Sequence, residues 1–262
     1  MELNQTQRVV MLGSGNVATH LSQALHKVGV KILQVFSPSL THAQILAEKL
    51  GCSFTNQLKS LNLTADLYIL SVTDDALPEL IKNMPIKNSL VIHTSGSTSI
   101  NIFDSVHTRY GIFYPLQTFS KEKEIDFKDI PICIEANSSD DALKLKTLGE
   151  KISDKVYLIN SEKRKALHVA AVFASNFTNY FYLIANELLT DKKLSFDLIK
   201  PLINETALKI LSKNPEEAQT GPAKRGDDQI ISTHLDYLNS HPEYQKLYKF
   251  ISSQIKQKFS KQ

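Results

Sequence analysis

The chain has 262 residues, enough for one large domain or two modest ones with a substantial hydrophobic core. Its 30 basic and 27 acidic residues leave a formal charge of +3, too even a balance to indicate nucleic-acid binding. Its 2 cysteines are too few for a disulfide framework, and no stretch approaches the ~20 apolar residues that cross a bilayer. With no apolar signal segment at its start, we expect a cytoplasmic globular protein without nucleic-acid or membrane partners.

The first half of the chain alternates short apolar runs with helical patterns. Such alternation predicts a mainly parallel β-sheet covered by helices on both faces. The predicted strands are Arg8–Leu12, Lys31–Phe36, Ser53–Thr55, Asp66–Val72, Ser89–His93, Gly111–Tyr114, Pro131–Glu135 and Val156–Ile159. The predicted helices between them are Asn16–Val28, Thr41–Leu50, Asp75–Asn83 and Ser139–Lys151.

The first strand ends in a Gly-x-Gly-x-x-Ala turn at residues 13–18, and a helical pattern follows at once. The first glycine permits a tight turn, the second lets the backbone approach a pyrophosphate, and the alanine allows close helix–strand packing. The phosphates would then lie at the positive end of the helix dipole. We predict a Rossmann-type domain whose dinucleotide contacts Gly13, Ser14, Gly15, Asn16 and Val17; an ordinary tight turn is the alternative.

The end of the second strand bears on the choice of dinucleotide. Ligands of open α/β sheets bind beyond the carboxyl ends of the strands, and Ser37-Pro38-Ser39 occupies that position here. An acid there would hold the ribose of NAD, whereas an arginine would favour the extra phosphate of NADP. This chain has neither, and a hydroxyl such as that of Ser37 can donate to a phosphate. The sequence therefore favours NADP and leaves NAD open.

Further candidates follow the next strands. Val72, Thr73 and Asp74 after the fourth strand, and Thr94 after the fifth, are expected to contact the ribose and nicotinamide of the cofactor. Thr73 or Asp74 acting only as a helix cap is the alternative.

Two polar clusters at adjacent strand ends are candidates for chemistry on a substrate. His93 and Ser95 belong to the cluster after the fifth strand, and Tyr114 and Gln117 to the cluster after the sixth. Because the carboxyl ends of parallel strands meet at one edge of a sheet, we expect the two clusters to converge on one site.

From Glu162 onward no strand pattern remains. Helical patterns run over Glu162–Leu189, Phe196–Leu211, Asp227–Leu238 and Pro242–Ile255. We therefore predict a dinucleotide-binding domain at residues 1–160 and an all-helical domain at residues 161–262, the latter for substrate binding and dimerisation.

The first of these helical patterns carries a polar stripe. At 100° per residue, His168, Ser175 and Asn179 lie within about 40° of one another, and Asn176 lies at the edge of that face. Buried polar groups need partners, so the stripe either faces a ligand or is satisfied within the protein. A shaped loop at residues 219–227 adds Arg225, which can hold an anionic substrate or a partner subunit.

These motifs occur together in an order that resembles a known family. The glycine turn, residues 93–97, residues 114–119, residues 167–177 and residues 220–227 resemble Rossmann-like oxidoreductases with a C-terminal domain of unknown function, DUF2520. That family is similar to pyrroline-5-carboxylate reductase, prephenate dehydrogenase and 6-phosphogluconate dehydrogenase. The resemblance implies a nicotinamide-dependent reductase or dehydrogenase, dimeric through its helical domain, with its active site in the cleft between domains. It implies no substrate. The chain departs from the family after the second strand, where it has Pro38 and many family members have a basic residue.

The leading hypothesis is hydride transfer between NADP(H) and a small carbonyl, imine, alcohol or amine. His168 is the first candidate for acid or base, since an imidazole exchanges protons near neutral pH, and His93 and Tyr114 are second choices. Asn176, Asn179, Ser95 and Gln117 are expected to orient the substrate. A nucleotide-binding sensor without turnover is the main alternative, and a methyltransferase using S-adenosylmethionine is a further one. No metal site is predicted.

Overall fold

The structure, a computed structural model, describes residues 7–120 and 123–260 and divides into two compact units, residues 1–176 and 177–262. The boundary predicted at 160/161 lies one helix earlier, at the start of the helix that carries His168. We describe the two units separately.

The first unit contains one eight-stranded sheet in the order β3-β2-β1-β4-β5-β6-β7-β8. Every neighbouring pair is parallel except β6 and β7. The predicted fold class is confirmed. The strands are β1 Arg8–Leu12, β2 Lys31–Phe36, β3 Ser53–Thr55, β4 Leu67–Leu70, β5 Leu90–His93, β6 Tyr110–Pro115, β7 Ile132–Ala136 and β8 Val156–Leu158.

The antiparallel pair has a simple cause. A parallel return needs a crossover, usually a helix, and the described part of the connection between β6 and β7 contains none. The pairing sets Tyr114 directly opposite Cys133.

Alternating residues of the strands build two cores, one on each face of the sheet. In β1, Val9 and Met11 belong to one hydrophobic cluster, and Val10 and Leu12 belong to the other. This burial on both faces explains why the strands read as continuous apolar runs rather than as alternating patterns. The covering helices are α1 Asn16–Lys27, α2 Leu40–Leu50, α3 Leu77–Asn83 and α4 Ser139–Glu150.

The long helix predicted over Glu162–Leu189 is interrupted. It consists of α5 Ser161–Ala171, a π-helical segment Val172–Phe177, and α6 Thr178–Thr190. The hydrogen bonds of a π-helix span five residues instead of four. The 100° spacing on which the shared face of His168, Ser175 and Asn179 depended therefore does not hold through this segment.

Helices and 3₁₀ turns are the only regular elements among the described residues of the second unit, as predicted. This unit continues with a 3₁₀ turn at Phe196–Ile199, α7 Lys200–Ser212, α8 Pro215–Ala218, α9 Pro222–Arg225, α10 Asp228–Tyr237, a 3₁₀ turn at Leu238–Ser240 and α11 Pro242–Phe259. The sequence analysis missed α8 and α9, because a single turn is too short to show periodicity. Each begins with a proline, which suits the first position of a helix.

Candidate functional site

The glycine turn has the geometry that a pyrophosphate requires. Gly13 adopts φ +125°, and a Cβ there would overlap the carbonyl oxygen of Ser71 at the end of β4. Gly15 lies at the N-cap of α1, and a Cβ there would meet no described atom within 4 Å. The first glycine is therefore needed by the protein itself, whereas the second leaves open space in front of the backbone.

The start of α1 is also free to bind an anion. Among the described residues, no side chain caps it, and its first turn holds no acid. By contrast, Ser39 and Ser138 accept backbone N–H groups at the starts of α2 and α4. Uncapped N–H groups beside an open glycine fit the pyrophosphate of a dinucleotide.

The other predicted residues of the glycine turn have different surroundings. The Oγ of Ser14 donates to the Oγ of Ser37 across 2.9 Å. The side-chain amide of Asn16 donates to the carbonyl of Phe119 at 2.7 Å, so it ties the turn to the loop after β6. Val17 is half-buried in the first turn of α1.

The residues after β4 and β5 lie at the same edge of the sheet. Thr73 begins the 3₁₀ turn Asp74–Ala76, and Asp74 accepts a short hydrogen bond from the Oγ of Ser97. Thr94 is buried and donates to the Oγ of Ser71 at 3.2 Å, while Val72 is half-buried. The structure thus brings the loops after β4 and β5 together, as predicted.

His93 is enclosed by the protein. Its side chain has no exposed surface and stacks on Phe103, and its Nδ1 accepts the backbone N–H of Ser95 at 3.1 Å. Its Nε2 has no partner among the described residues. Burial, assisted by the nearby Arg164 cation, lowers the pKa of His93 to about 4. A neutral, enclosed imidazole shapes the turn that follows β5 and has no surface on which to meet a substrate.

Tyr114 and His168 form a pair. The Tyr114 hydroxyl lies 2.9 Å from Nδ1 of His168, and the two rings meet edge to face. Burial raises the pKa of Tyr114 to about 12, so the phenol stays protonated at neutral pH. His168 is only half-buried, and its Nε2 makes no hydrogen bond to any residue described. The pair therefore presents one free imidazole nitrogen, with the other held by a phenol.

Gly96 adjoins this pair. A Cβ at position 96 would lie 2.5 Å from Nδ1 of His168 and 2.7 Å from Cζ of Tyr114. Any side chain at this position would push the two rings apart. The glycine of the cluster after β5 is thus explained by the ring pair it touches.

Three more of the predicted substrate residues belong to the first unit. Ser95 uses its Oγ within its own loop, where it accepts the N–H of Thr98 at 3.0 Å. Gln117 is exposed and accepts the N–H of its neighbour at 2.9 Å. Asn176 is exposed in the π-helical segment of the first unit.

Two predicted residues belong to the second unit. Asn179 lines a cavity there with Phe196 and Lys200. Arg225 is exposed at the end of α9, 3.8 Å from Asp227.

Comparison with known proteins identifies the family. Residues 2–117 match a Rossmann-like domain, and residues 130–255 match a domain of unknown function, DUF2520. The chain is 44% identical to a Bacteroides fragilis protein provisionally assigned as an NADP oxidoreductase, covering 96% of this chain and 98% of that one with a TM-score of 0.92. The chain therefore belongs to the family of this relative, in which a Rossmann-like domain precedes a DUF2520 domain. The predicted resemblance is confirmed.

More distant structures share the family's fold. A 1-pyrroline-5-carboxylate reductase from Streptococcus pyogenes is 12% identical, with a TM-score of 0.63 over 95% of this chain and 98% of that chain. An imine reductase from Myxococcus stipitatus in complex with NADP⁺ is 13% identical, with a TM-score of 0.67 over 97% of this chain and 93% of that one. No protein of curated function matches the sequence.

A buried ion pair lies close to the rings of Tyr114 and His168, and the sequence patterns did not predict it. Arg164 in α5 has no exposed surface and contacts Glu135 of β7 at 2.6 Å. Its spacing of four residues before His168 is the one signal that could have found it, since residues i and i+4 share a helix face.

Within residues 7–120 and 123–260, no three His, Cys, Asp or Glu side chains lie close enough together to hold a metal ion. Over the same ranges, no helix has the length and apolar character needed to traverse a bilayer.

Proposed function

We propose that this protein is an NAD(P)-dependent oxidoreductase that moves a hydride between a nicotinamide cofactor and a small substrate, with NADP favoured over NAD. The observation that carries the proposal is the Tyr114–His168 hydrogen bond at the sheet edge that also holds the open glycine turn. A cofactor cradle and a proton-transfer pair at one edge are what hydride transfer requires.

The surroundings of the adenosine end support NADP. No acid follows β2, and a small cavity beside the glycine turn is lined by Ser14, His42 and Lys49, with no acidic side chain in its lining. Hydroxyls and cations suit the extra phosphate of NADP, whereas a carboxylate would repel it. The provisional assignment of the 44% identical relative as an NADP oxidoreductase supports the same choice.

The proton chemistry follows from the two nitrogens of His168. When bound, the reduced cofactor supplies the hydride to a carbonyl or imine carbon. The imidazolium of His168 then gives its Nε2 proton to the substrate oxygen or nitrogen. The neutral ring that remains keeps its Nδ1–H, so the Tyr114 hydroxyl accepts this N–H both before and after the transfer. It therefore holds the ring in either protonation state. His93 has no place in this step because it is enclosed.

Two features of the second unit support a homodimer formed through its helices. Of its described residues, only Ala223, Leu238 and Ser252 are buried, and many large apolar side chains are exposed. Exposed apolar surface of this extent marks an interaction site. We place the dimer, a small-molecule substrate and a cytoplasmic location in the same proposal.

A titration with NADPH and NADH tests the cofactor. Binding raises the melting temperature by mass action, and nicotinamide fluorescence follows it directly. Gly15→Ala is the matched control, because the new methyl meets no described atom yet occupies the space of the pyrophosphate. We expect an unchanged melting temperature without cofactor and a loss of NADPH binding of tenfold or more. Equal NADPH binding by the wild-type protein and by Gly15→Ala would refute the proposed pyrophosphate site at the glycine turn.

A substrate screen with NADPH and small carbonyls and imines tests turnover. His168→Gln should retain NADPH binding and lose most of the activity, and Tyr114→Phe should lose less. A wild-type protein that binds NADPH tightly and turns over nothing would favour the alternative of a nucleotide sensor.

A further inference from the structure

We propose that Arg164 is a positioning residue for the Tyr114–His168 pair. It sets the rotation and height of α5 on the sheet, so that the His168 imidazole meets the Tyr114 hydroxyl. This inference rests on the proposed function for its consequence in turnover, but the positioning itself does not depend on it.

The guanidinium joins three segments that approach from different parts of the first unit. Its Nη1 donates to Oε2 of Glu135 in β7 at 2.6 Å. Its Nη2 donates to the carbonyl of Thr98, in the loop after β5, and to the Oγ of Ser161 at 3.2 Å. One planar, forked side chain thereby fixes α5 against both a strand and the loop that contains Gly96.

Ser161 closes the same network at the first residue of α5. Its Oγ donates to Oε2 of Glu135 at 2.7 Å and accepts the backbone N–H of Ile100 at 3.0 Å. Arg164 and Ser161 therefore share one carboxylate oxygen, and the first turn of α5 is held at two points.

His168 lies one turn further along the same face. Residues i and i+4 of a helix point the same way, so fixing Arg164 on the sheet fixes the direction of His168. Leu167 packs against the cluster that contains Tyr114 and Cys133, which shows that this face of α5 covers the end of β6. A rotation of α5 would separate the imidazole from the phenol.

The cost of this arrangement indicates that it serves more than stability. Arg164 is completely enclosed, Glu135 is only 16% exposed, and the Nε of Arg164 has no partner among the described residues. A buried ion pair is rarely more stabilising than apolar residues of similar volume. Such a pair does, however, dictate orientation, since each donor must meet its acceptor.

The charge of Arg164 also affects the pKa of Tyr114. Burial is the main reason that the pKa of Tyr114 is high, and the Arg164 cation counteracts it by lowering that pKa.

The experiment compares Arg164→Met, Arg164→Lys and the double variant Arg164→Met/Glu135→Gln. Long-range ¹H–¹⁵N correlation spectra of ¹⁵N-histidine-labelled protein report the hydrogen bond at Nδ1 of His168. His168→Gln assigns the signals, and Tyr114→Phe shows their position when the bond is absent. Melting temperature and NADPH affinity are measured for each protein.

We expect Arg164→Met to move the His168 signals to their position in Tyr114→Phe and to lower kcat about 10- to 100-fold, with KM for NADPH within twofold. Arg164→Lys should recover part of the signal shift and of kcat. The double variant should regain the melting temperature, because no buried charge is left alone, but not the His168 signals. If Arg164→Met is too unstable to measure, the His168 signals of the double variant test the positioning role of Arg164 instead.

Wild-type His168 signals in a stable double variant would overturn the proposal and leave Arg164 a purely structural residue. Because the spectra need neither cofactor nor substrate, a failure of the proposed function would appear separately, as missing NADPH binding or missing turnover in the wild-type protein.

Discussion

The two units bury their apolar side chains to very different extents. In the first unit, all four residues Val9–Leu12 of β1 are fully enclosed, and each face of the sheet has its own core. In the second unit, only three described residues are buried, and Leu211 keeps 83% of its surface. The sheet unit has a core on each face, whereas the helices of the second unit leave much of their apolar surface exposed.

The same difference leads us to expect separate roles for the two units, with the chemistry in the first and the assembly in the second. The ordered hydrogen bonds of the candidate site lie in the first unit, at the carboxyl edge of a rigid sheet. The second unit contributes helices with many exposed large apolar side chains. This contrast supports a catalytic role for the sheet unit and a dimerising role for the helices.

The largest expected effect concerns the self-contained core of the first unit. Gly13→Ala would force a methyl group into the Ser71 carbonyl, at a φ of +125° that alanine strongly disfavours. We expect a loss of at least about 4 kcal/mol in the free energy of unfolding, measured by urea titration. Gly15→Ala should change it by less than about 1 kcal/mol. Similar losses in both variants would contradict the distinction between the two glycines.

The second effect tests whether the helical unit is covered by another copy. Leu208→Asp/Leu211→Asp places two charges on one exposed apolar face of α7, since residues three apart share a helix face. If that surface forms the dimer, we expect dimer stability to fall by about 3 kcal/mol, seen by sedimentation velocity. Thr206→Asp/Lys209→Gln makes the same change in net charge on the opposite face of this helix and should leave the dimer intact. A wild-type protein that is monomeric in solution would contradict the proposed homodimer.

The third effect is a pH dependence located in the sheet unit. Because burial lowers the pKa of His93 to about 4, below its unfolded value, the unfolded state binds more protons between about pH 6.5 and pH 4. Stability is therefore fully present above that range and is lost as the pH falls. From pH 7 to pH 5 we expect a loss of about 2 kcal/mol from this group, which His93→Asn should abolish. An unchanged pH slope in the variant would show that other groups are responsible.

The smallest effect concerns the adenosine end of the cofactor. His42→Gln should weaken NADPH binding about threefold and leave NADH binding unchanged, because the cavity beside Ser14 loses one of its two basic side chains and both of these are exposed. Glu48→Gln on the same helix is the control and should not distinguish the two cofactors. Equal weakening of NADPH and NADH by His42→Gln would separate His42 from the extra phosphate.

Most of the sheet could be predicted because its signals are local. The ends of β1, β2 and β3 agree residue for residue with the prediction, since each is an apolar run bounded by turn residues. The direction of β7 could not be predicted, because it depends on the connection after β6 rather than on the strand itself. The π-helical segment was also missed, since its residues fit a regular helix equally well.

Within the candidate site, residue types were easier to predict than partners. His168 and Tyr114 were both candidates, but their hydrogen bond joins residues 54 positions apart. His93 was a second choice for proton transfer, and its enclosure against Phe103 sets it apart from His168. Asn16 was expected to contact the cofactor, yet its amide is engaged by the Phe119 carbonyl.

The sequence by itself determined the glycine turn, the strand–helix alternation and the change to an all-helical second half. Each of these depends on backbone freedom or on the period of apolar residues, and both can be read within a few neighbouring positions. Only the tertiary structure decided that Arg164 binds both Glu135 and the loop after β5, and that Gly96 lies against the Tyr114–His168 pair. These contacts join β6, β7, α5 and the loop after β5, and packing alone brings such distant segments together.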